Sequence, residues 1–219
     1  MSLNDELLEQ YANSRRQHER AVSYATKYDR QFHKRVSSHF ERRAIRRALE
    51  RTGVTQGTIL DMPCGAGRLG PEIEPFAKTL ISGDYSREML YRLREANPQG
   101  RCSVVNAFQL PFGDRTFDVV FSARLSHHIG DDQRREDYLR EVLRVSKTWV
   151  VVTIFATESI KNRLRELRRV FNKKRSKSTF RRKDVERIAE AAGFDVRGWV
   201  PISRLSSGHR YYILERRGV

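Results

Sequence analysis

The chain has little of what marks a secreted or membrane-embedded protein. Its 219 residues contain two cysteines, Cys64 and Cys102, too few for a disulfide framework and without metal-ligand spacing. A reducing cytoplasm is the setting this implies. No run approaches the ~20 apolar residues that a membrane span needs, and the opening residues MSLNDELLEQYANSRRQ have no apolar signal core. A soluble, cytoplasmic protein is expected, one domain of ordinary size that buries about 70% of its unfolded surface. Acid is scarce as well: 27 Asp and Glu stand against 43 Lys and Arg, a net charge of +16.

That imbalance is local. Residues 161–183 hold 12 basic residues against the single acid Glu166, and residues 15–51 hold 12 against four, whereas residues 52–160 are near neutral with 13 against 14. The basic surface therefore belongs to two flanks around a neutral centre. Within the second flank Ile160, Leu164, Leu167 and Phe171 recur at helical spacing, as in an amphipathic basic helix. Such a stripe packs on the protein's own sheet or lies on an anionic membrane surface. The following NKKRSKSTFRRK is polar and without period, as a loop is.

The neutral centre carries the chemistry. Residues 58–70 read TILDMPCGAGRLG: a short β-branched strand ends in Asp61 and enters a turn with Gly65 and Gly67. Glycine lets a loop backbone approach a ligand closely, and strand-to-helix turns sit at the sheet edge where nucleosides bind. The next apolar run closes on Asp84, placed to accept hydrogen bonds from both hydroxyls of a ribose. Pro63 stands where a dinucleotide fingerprint would have its first glycine, which argues against a bound pyrophosphate. Strands read at 58–61, 79–84, 101–106, 117–122 and 148–155, with helices at 67–77, 87–96 and 134–145 between them. A helical N-terminal region covers 5–51, and a helix at 182–192 precedes strands at 194–200 and 210–216. This alternation gives an α/β fold with a parallel sheet covered on both faces.

Leu60, Asp61, Cys64, Gly65, Gly67, Asp84, Leu110, Pro111, Phe112, Phe117, Asp118, Val120, His127 and His128 together resemble the motifs of class I S-adenosylmethionine-dependent methyltransferases of the small-molecule and lipid type. The likeness runs from about residue 58 to 155. It implies a Rossmann-like, seven-stranded, mostly parallel sheet closed by an antiparallel end, an N-terminal helical cap over residues 1–51, a core over 52–219 and a basic lid at about 160–183. The implied cofactor is S-adenosyl-L-methionine, held by Asp61, Pro63, Cys64, Gly65, Ala66, Gly67, Arg68, Asp84, Tyr85, Asn106, Ala107, Phe108, Ala123 and Arg124, with Tyr28 as a cap. Tyr24, Tyr28, Phe32 and His33 share one helical side, which also suits a plain core stripe. Two positions depart from the family. Pro63 replaces a glycine and removes an amide donor, and Asn106 replaces an aspartate, keeping an oxygen that can accept from the adenine amino group.

His127 and His128 follow the fourth strand, where an imidazole could take a proton from an acceptor or orient it, or simply shape the loop. Arg124, at the same strand end, suits the cofactor carboxylate or an anionic acceptor. The basic lid, with Arg168, Arg169, Lys173 and Lys174, would raise the local concentration of an anionic acceptor. The expected function is methyl transfer to an anionic or membrane-associated small molecule, with the protein cytoplasmic or peripheral on a membrane. Methylation of RNA is the alternative that the clustered cations allow, although no Asn-Pro-Pro-Tyr-type motif follows the fourth strand. A non-catalytic binding protein on the same scaffold is a third reading.

Overall fold

Strand residues point alternately to the two sides of one sheet, and the apolar pattern of this chain fills both. In a computed structural model, which describes residues 32–155, 181–203 and 209–218, Ile59, Val119, Phe121, Val151, Tyr211 and Ile213 face one buried cluster. Leu60, Val120, Val150, Val152, Tyr212 and Leu214 face another. A sheet apolar on both sides needs helices on both.

The helices follow. On the first side lies α1 (Phe32–Glu50), whose Ala44, Ile45, Ala48 and Leu49 are buried. With it goes the short α2 (Gly70–Ile73), continued by a 3-10 turn, Glu74–Phe76. On the other side α4 (Asp132–Val145) and α5 (Arg182–Ala191) bury Tyr138, Leu139, Val142, Val185 and Ile188. The remaining helix, α3 (Arg87–Ala96), is capped by Ser86, whose hydroxyl accepts from the Met89 amide.

The strands are β1 (Gly57–Asp61), β2 (Ala77–Asp84), β3 (Arg101–Val104), β4 (Phe117–Ser122), β5 (Ser146–Phe155), β6 (Phe194–Pro201) and β7 (His209–Arg216). Their order is β3-β2-β1-β4-β5-β7-β6, with β7 antiparallel to both its neighbours and the other pairs parallel. The seven-stranded, mostly parallel sheet is therefore as expected. Chain order reverses between β1 and β4, which makes their carboxyl ends the switch point where ligands bind in open α/β sheets.

Two expected elements are shorter. The helix expected over 67–77 is one turn, because Gly67 stands at φ +78° and Pro75 has no amide to continue the ladder. The strand expected to reach residue 106 stops at Val104, because the Asn106 side-chain oxygen accepts from the Phe108 amide at 2.9 Å and turns the chain. The N-terminal region before residue 32, the amphipathic stripe and the basic lid up to residue 180 lie outside the described residues. Among the described residues no helix is long and apolar enough to cross a membrane.

Candidate active site

Asp61 ends β1 at the switch point. Its side chain is 1% exposed, and neither carboxylate oxygen has a hydrogen-bond partner among the described residues. Burial, then the charge of Asp84, pushes its pKa up to about 7, against an opposing pull from Arg68. A buried carboxylate of this kind calls for a cation in contact with it, and among the described residues none hydrogen-bonds to it. The Met62-Pro63 peptide is cis, and the Cys64 amide donates to the Gly83 carbonyl at 2.9 Å, tying the loop to β2. Burial, with the nearby acids, raises the Cys64 thiol far above its ordinary value, so it is a packed thiol and no nucleophile.

Gly65, at φ +57°, donates its amide to Asp84 Oδ2 at 2.8 Å, and Ser86 donates to Asp84 Oδ1 at the same distance. Both oxygens of Asp84 are thus anchored by backbone, and an ionised carboxylate retains further lone-pair sites for a ligand's hydroxyls. Gly67 stands at φ +78°, which other residues rarely adopt, and a side chain there would also have to displace Leu93 Cδ1 of α3. Ala66 and Arg68 complete the loop, and Tyr85 is half-buried directly after Asp84. On the third strand's side, Asn106 engages the Phe108 amide itself, while Ala107 is buried and Phe108 packs against the core. The Phe108 amide is thereby engaged within the turn itself.

Arg124 follows β4 and buried Ala123 with φ +63°, a left-handed conformation rare for arginine. Its amide donates to Thr153 Oγ1 at 2.5 Å and its Nε to Glu41 Oε1 at 2.5 Å. Glu41 also meets Arg68 Nη2 at 2.9 Å. Burial raises the Glu41 carboxyl, but Arg124 and then Arg68 outweigh it and hold the pKa below the ordinary value. One fully buried acid of α1 therefore joins the glycine loop to the β4 end. Glu41 was missed by sequence reasoning, yet it left a signal: it lies three and four residues before Ala44 and Ile45, on the apolar stripe.

The two histidines share a 3-10 turn, Ser126–His128, with ring centroids 4.1 Å apart. His127 is half-buried and His128 exposed. A third ring joins them: His209, the first residue of β7, stands edge-on to His127 at 4.7 Å. No sequence signal brought His209 here, because its place depends on the antiparallel pairing of His209 with Phe155 at the end of β5. Among the described residues no group of three or more His, Cys, Asp or Glu could hold a metal ion. Tyr28, Arg168, Arg169, Lys173 and Lys174 lie outside the described residues.

Strand order and the antiparallel end of the sheet are those of the Rossmann-like class I methyltransferase fold. Residues 60–152 match the family profile described as a methyltransferase domain. A protein of Encephalitozoon cuniculi named as a methyltransferase is 32% identical over 102 residues, which cover 47% of this chain and 46% of that one. An uncharacterized methyltransferase of Schizosaccharomyces pombe is 33% identical over 93 residues, 41% of this chain and 35% of that protein. These matches span less than half of either relative. Among solved structures, magnesium protoporphyrin IX methyltransferase of Synechocystis with bound SAH superposes with TM-score 0.69 at 14% identity, covering 85% of this chain and 88% of that one. An S-adenosylmethionine-dependent methyltransferase of Clostridium acetobutylicum gives 0.68 at 16% identity, covering 90% and 99%. S-adenosylmethionine is the cofactor of this class.

Proposed function

We propose that the protein transfers a methyl group from S-adenosylmethionine to an anionic or membrane-associated small molecule. The observation that carries the reading is Asp61: a buried carboxylate without a hydrogen-bond partner among the described residues, at the mouth of a glycine loop, fits the ammonium of the cofactor's amino-acid end. Asp84 suits the ribose hydroxyls through the lone pairs that Gly65 and Ser86 leave open. Asn106 and the Ala107 backbone border the place for the adenine, Pro63 to Gly67 cradle the cofactor's middle, and Tyr85 flanks the ribose.

The cofactor supplies an electrophilic methyl carbon. What remains for the protein is placement: holding the acceptor in line, close and free of water. Arg68 and Arg124 face this edge as cations, fixed by Glu41, and favour a negatively charged partner. His127 and His128 stand beside them to orient an acceptor hydroxyl or amine, or to remove its proton. Arg168, Arg169, Lys173 and Lys174 add to the attraction of an anion in this reading, and Tyr28 to the cover over the cofactor.

The test begins with the cofactor. Calorimetry should show binding of S-adenosylhomocysteine, and Asp84→Ala should weaken it by about 1.5–3 kcal/mol, the range for a hydrogen bond to a charged group. No binding to folded wild-type protein would refute the enzyme reading. Methyl incorporation into RNA with site specificity, and into no small acceptor, would move the acceptor to nucleic acid.

A further inference from the structure

The exposed arginines of the two helical layers are treated differently. On the α4 and α5 side exposed Arg140 and Arg187 both meet Glu136 at 2.6 Å and exposed Arg182 meets Glu186 at 2.6 Å, while half-buried Arg144 meets Asp114 at 2.7 Å. On α1, Arg42 and Arg46 share the buried acid Glu72. The next ridge is different. Arg43, Arg47 and Arg51 are exposed, and among the described residues none has a carboxylate within 4.0 Å. Arg51 donates to the Trp199 carbonyl at 3.4 Å, which leaves its charge uncompensated.

These three arginines follow at four-residue intervals, so they stand one above another about 6 Å apart along the helix. Three residues before Arg43 comes Phe40, 47% exposed, one of three large apolar side chains exposed among the described residues. It heads the same ridge. Its neighbour Glu41 holds Arg68 and Arg124, so the aromatic end of the ridge lies nearest the cofactor edge, and Arg51 lies at the far end beside Gly198 of β6. The other side of α1 is buried on the sheet, so the helix cannot turn to satisfy this ridge. The one acid on the exposed side, Glu50, is outnumbered.

We propose that the ridge of Phe40, Arg43, Arg47 and Arg51 docks the protein on an anionic lipid bilayer, with guanidinium groups on headgroup phosphates and the Phe40 ring at the acyl boundary. Docked this way, the cofactor edge meets the headgroup plane, where a membrane-associated acceptor would be found. The inference deepens that reading of the acceptor and rests on it. A lipid surface suits the ridge better than a nucleic acid strand, because single-strand sites use a groove with aromatic rings interleaved among the cations. Here Phe40 stands at one end of a convex helix face and Trp199 lies beside Arg51 at the other, with no ring between the arginines of the ridge. Between Arg47, Glu50, Arg51 and the β6 residues Trp199, Val200 and Pro201 lies an open hollow of about 410 Å³, with two cations against one acid and room for a headgroup rather than a strand.

Co-sedimentation of the full chain with vesicles of phosphatidylglycerol and phosphatidylcholine, against phosphatidylcholine alone, tests this. Wild type should bind the anionic vesicles selectively. Reversing Arg43, Arg47 and Arg51 to Glu should reduce partition about 100-fold, from about five-fold per arginine at ~1 kcal/mol each. A variant with Lys78, Arg87 and Arg101 reversed to Glu, equal in net charge, should stay within a few-fold of wild type. Phe40→Trp should give emission that shifts to the blue on anionic vesicles only. Equal partition of the two triple variants, or no preference of wild type for anionic lipid, would overturn the proposal. So would loss of single-stranded oligonucleotide binding in the ridge variant with vesicle binding unchanged. Melting temperature and S-adenosylhomocysteine binding verify that the variants are folded. Partition is read without cofactor, so its failure leaves the methyl-transfer reading standing, whereas absent S-adenosylhomocysteine binding would remove that reading alone.

Discussion

The two halves of the ligand edge are built on different plans. Around β1 and β2 the polar groups come from one short stretch of chain, and backbone amides hold them: Gly65 and Ser86 both donate to Asp84 at 2.8 Å. Around β4, β5 and β7 the groups come from distant segments, and side chains hold them: Glu41 of α1 grips Arg124, Thr153 of β5 accepts from the Arg124 amide, and His209 of β7 abuts His127. The first half is a local device that any chain with the motif can form. The second exists only when the whole sheet is assembled.

The strongest way to break the second half is Glu41→Gln, which leaves Arg68 and Arg124 without their counter-charge. Both arginines are about a quarter exposed, so the loss in unfolding free energy should fall near the low end of the range for splitting a buried pair, about 3 kcal/mol, read by urea denaturation. The Glu41 pKa is depressed in the folded protein. Its stabilisation is therefore present above the unfolded carboxyl pKa and fades as pH falls through the lower folded value, so the difference between wild type and Glu41→Gln should shrink in strong acid.

The first half should respond in the opposite sense. Asp61 has its pKa raised, so the ligand-free protein keeps this residue's contribution to stability below the unfolded value, near 3.8, and loses it as pH rises through about 7. Asp61→Asn should consequently stabilise the ligand-free protein at pH ~8, by on the order of 2 kcal/mol, while weakening S-adenosylhomocysteine. Calorimetry of wild type should show affinity increasing with pH around neutrality, with proton release on binding. A flat profile in wild type would mean that Asp61 is ionised without help from the ligand.

The smallest effect sharpens the comparison at the histidines. His209→Phe keeps a ring against His127 and should leave the methylation rate close to wild type. His209→Ala removes the contact and should slow it several-fold, in line with the ~0.5–1.5 kcal/mol of an aromatic pair. A large loss in His209→Phe would instead give the His209 nitrogens a part in the chemistry.

What was legible in the sequence follows the same division. Asp61, the glycine loop and Asp84 could be read because strand, turn and acid are consecutive, and a strand-to-helix turn places them by local geometry alone. The stop of α2 was less visible: Pro75 was in plain view, but the apolar pattern through Phe76 favours a longer helix than its backbone permits. Glu41 and His209 were not legible as site residues, since one depends on how α1 crosses the sheet and the other on the β5 and β7 register. Arg124 was placed at the right edge, with the cofactor or acceptor as its partner. That its guanidinium is already held by Glu41 depends on a contact 83 residues away in sequence.

The Asp84 carboxylate has a dynamic consequence. It links the Gly65 amide to the Ser86 amide, and the Ser86 hydroxyl in turn accepts from Met89 in the first turn of α3. Loop, strand end and helix start are thus one hydrogen-bonded chain of neighbours, and none of the three can open far without disturbing the others. Native-state hydrogen exchange should find the Gly65, Ser86 and Met89 amides exchanging with a common opening free energy, so this edge of the protein breathes as a single unit.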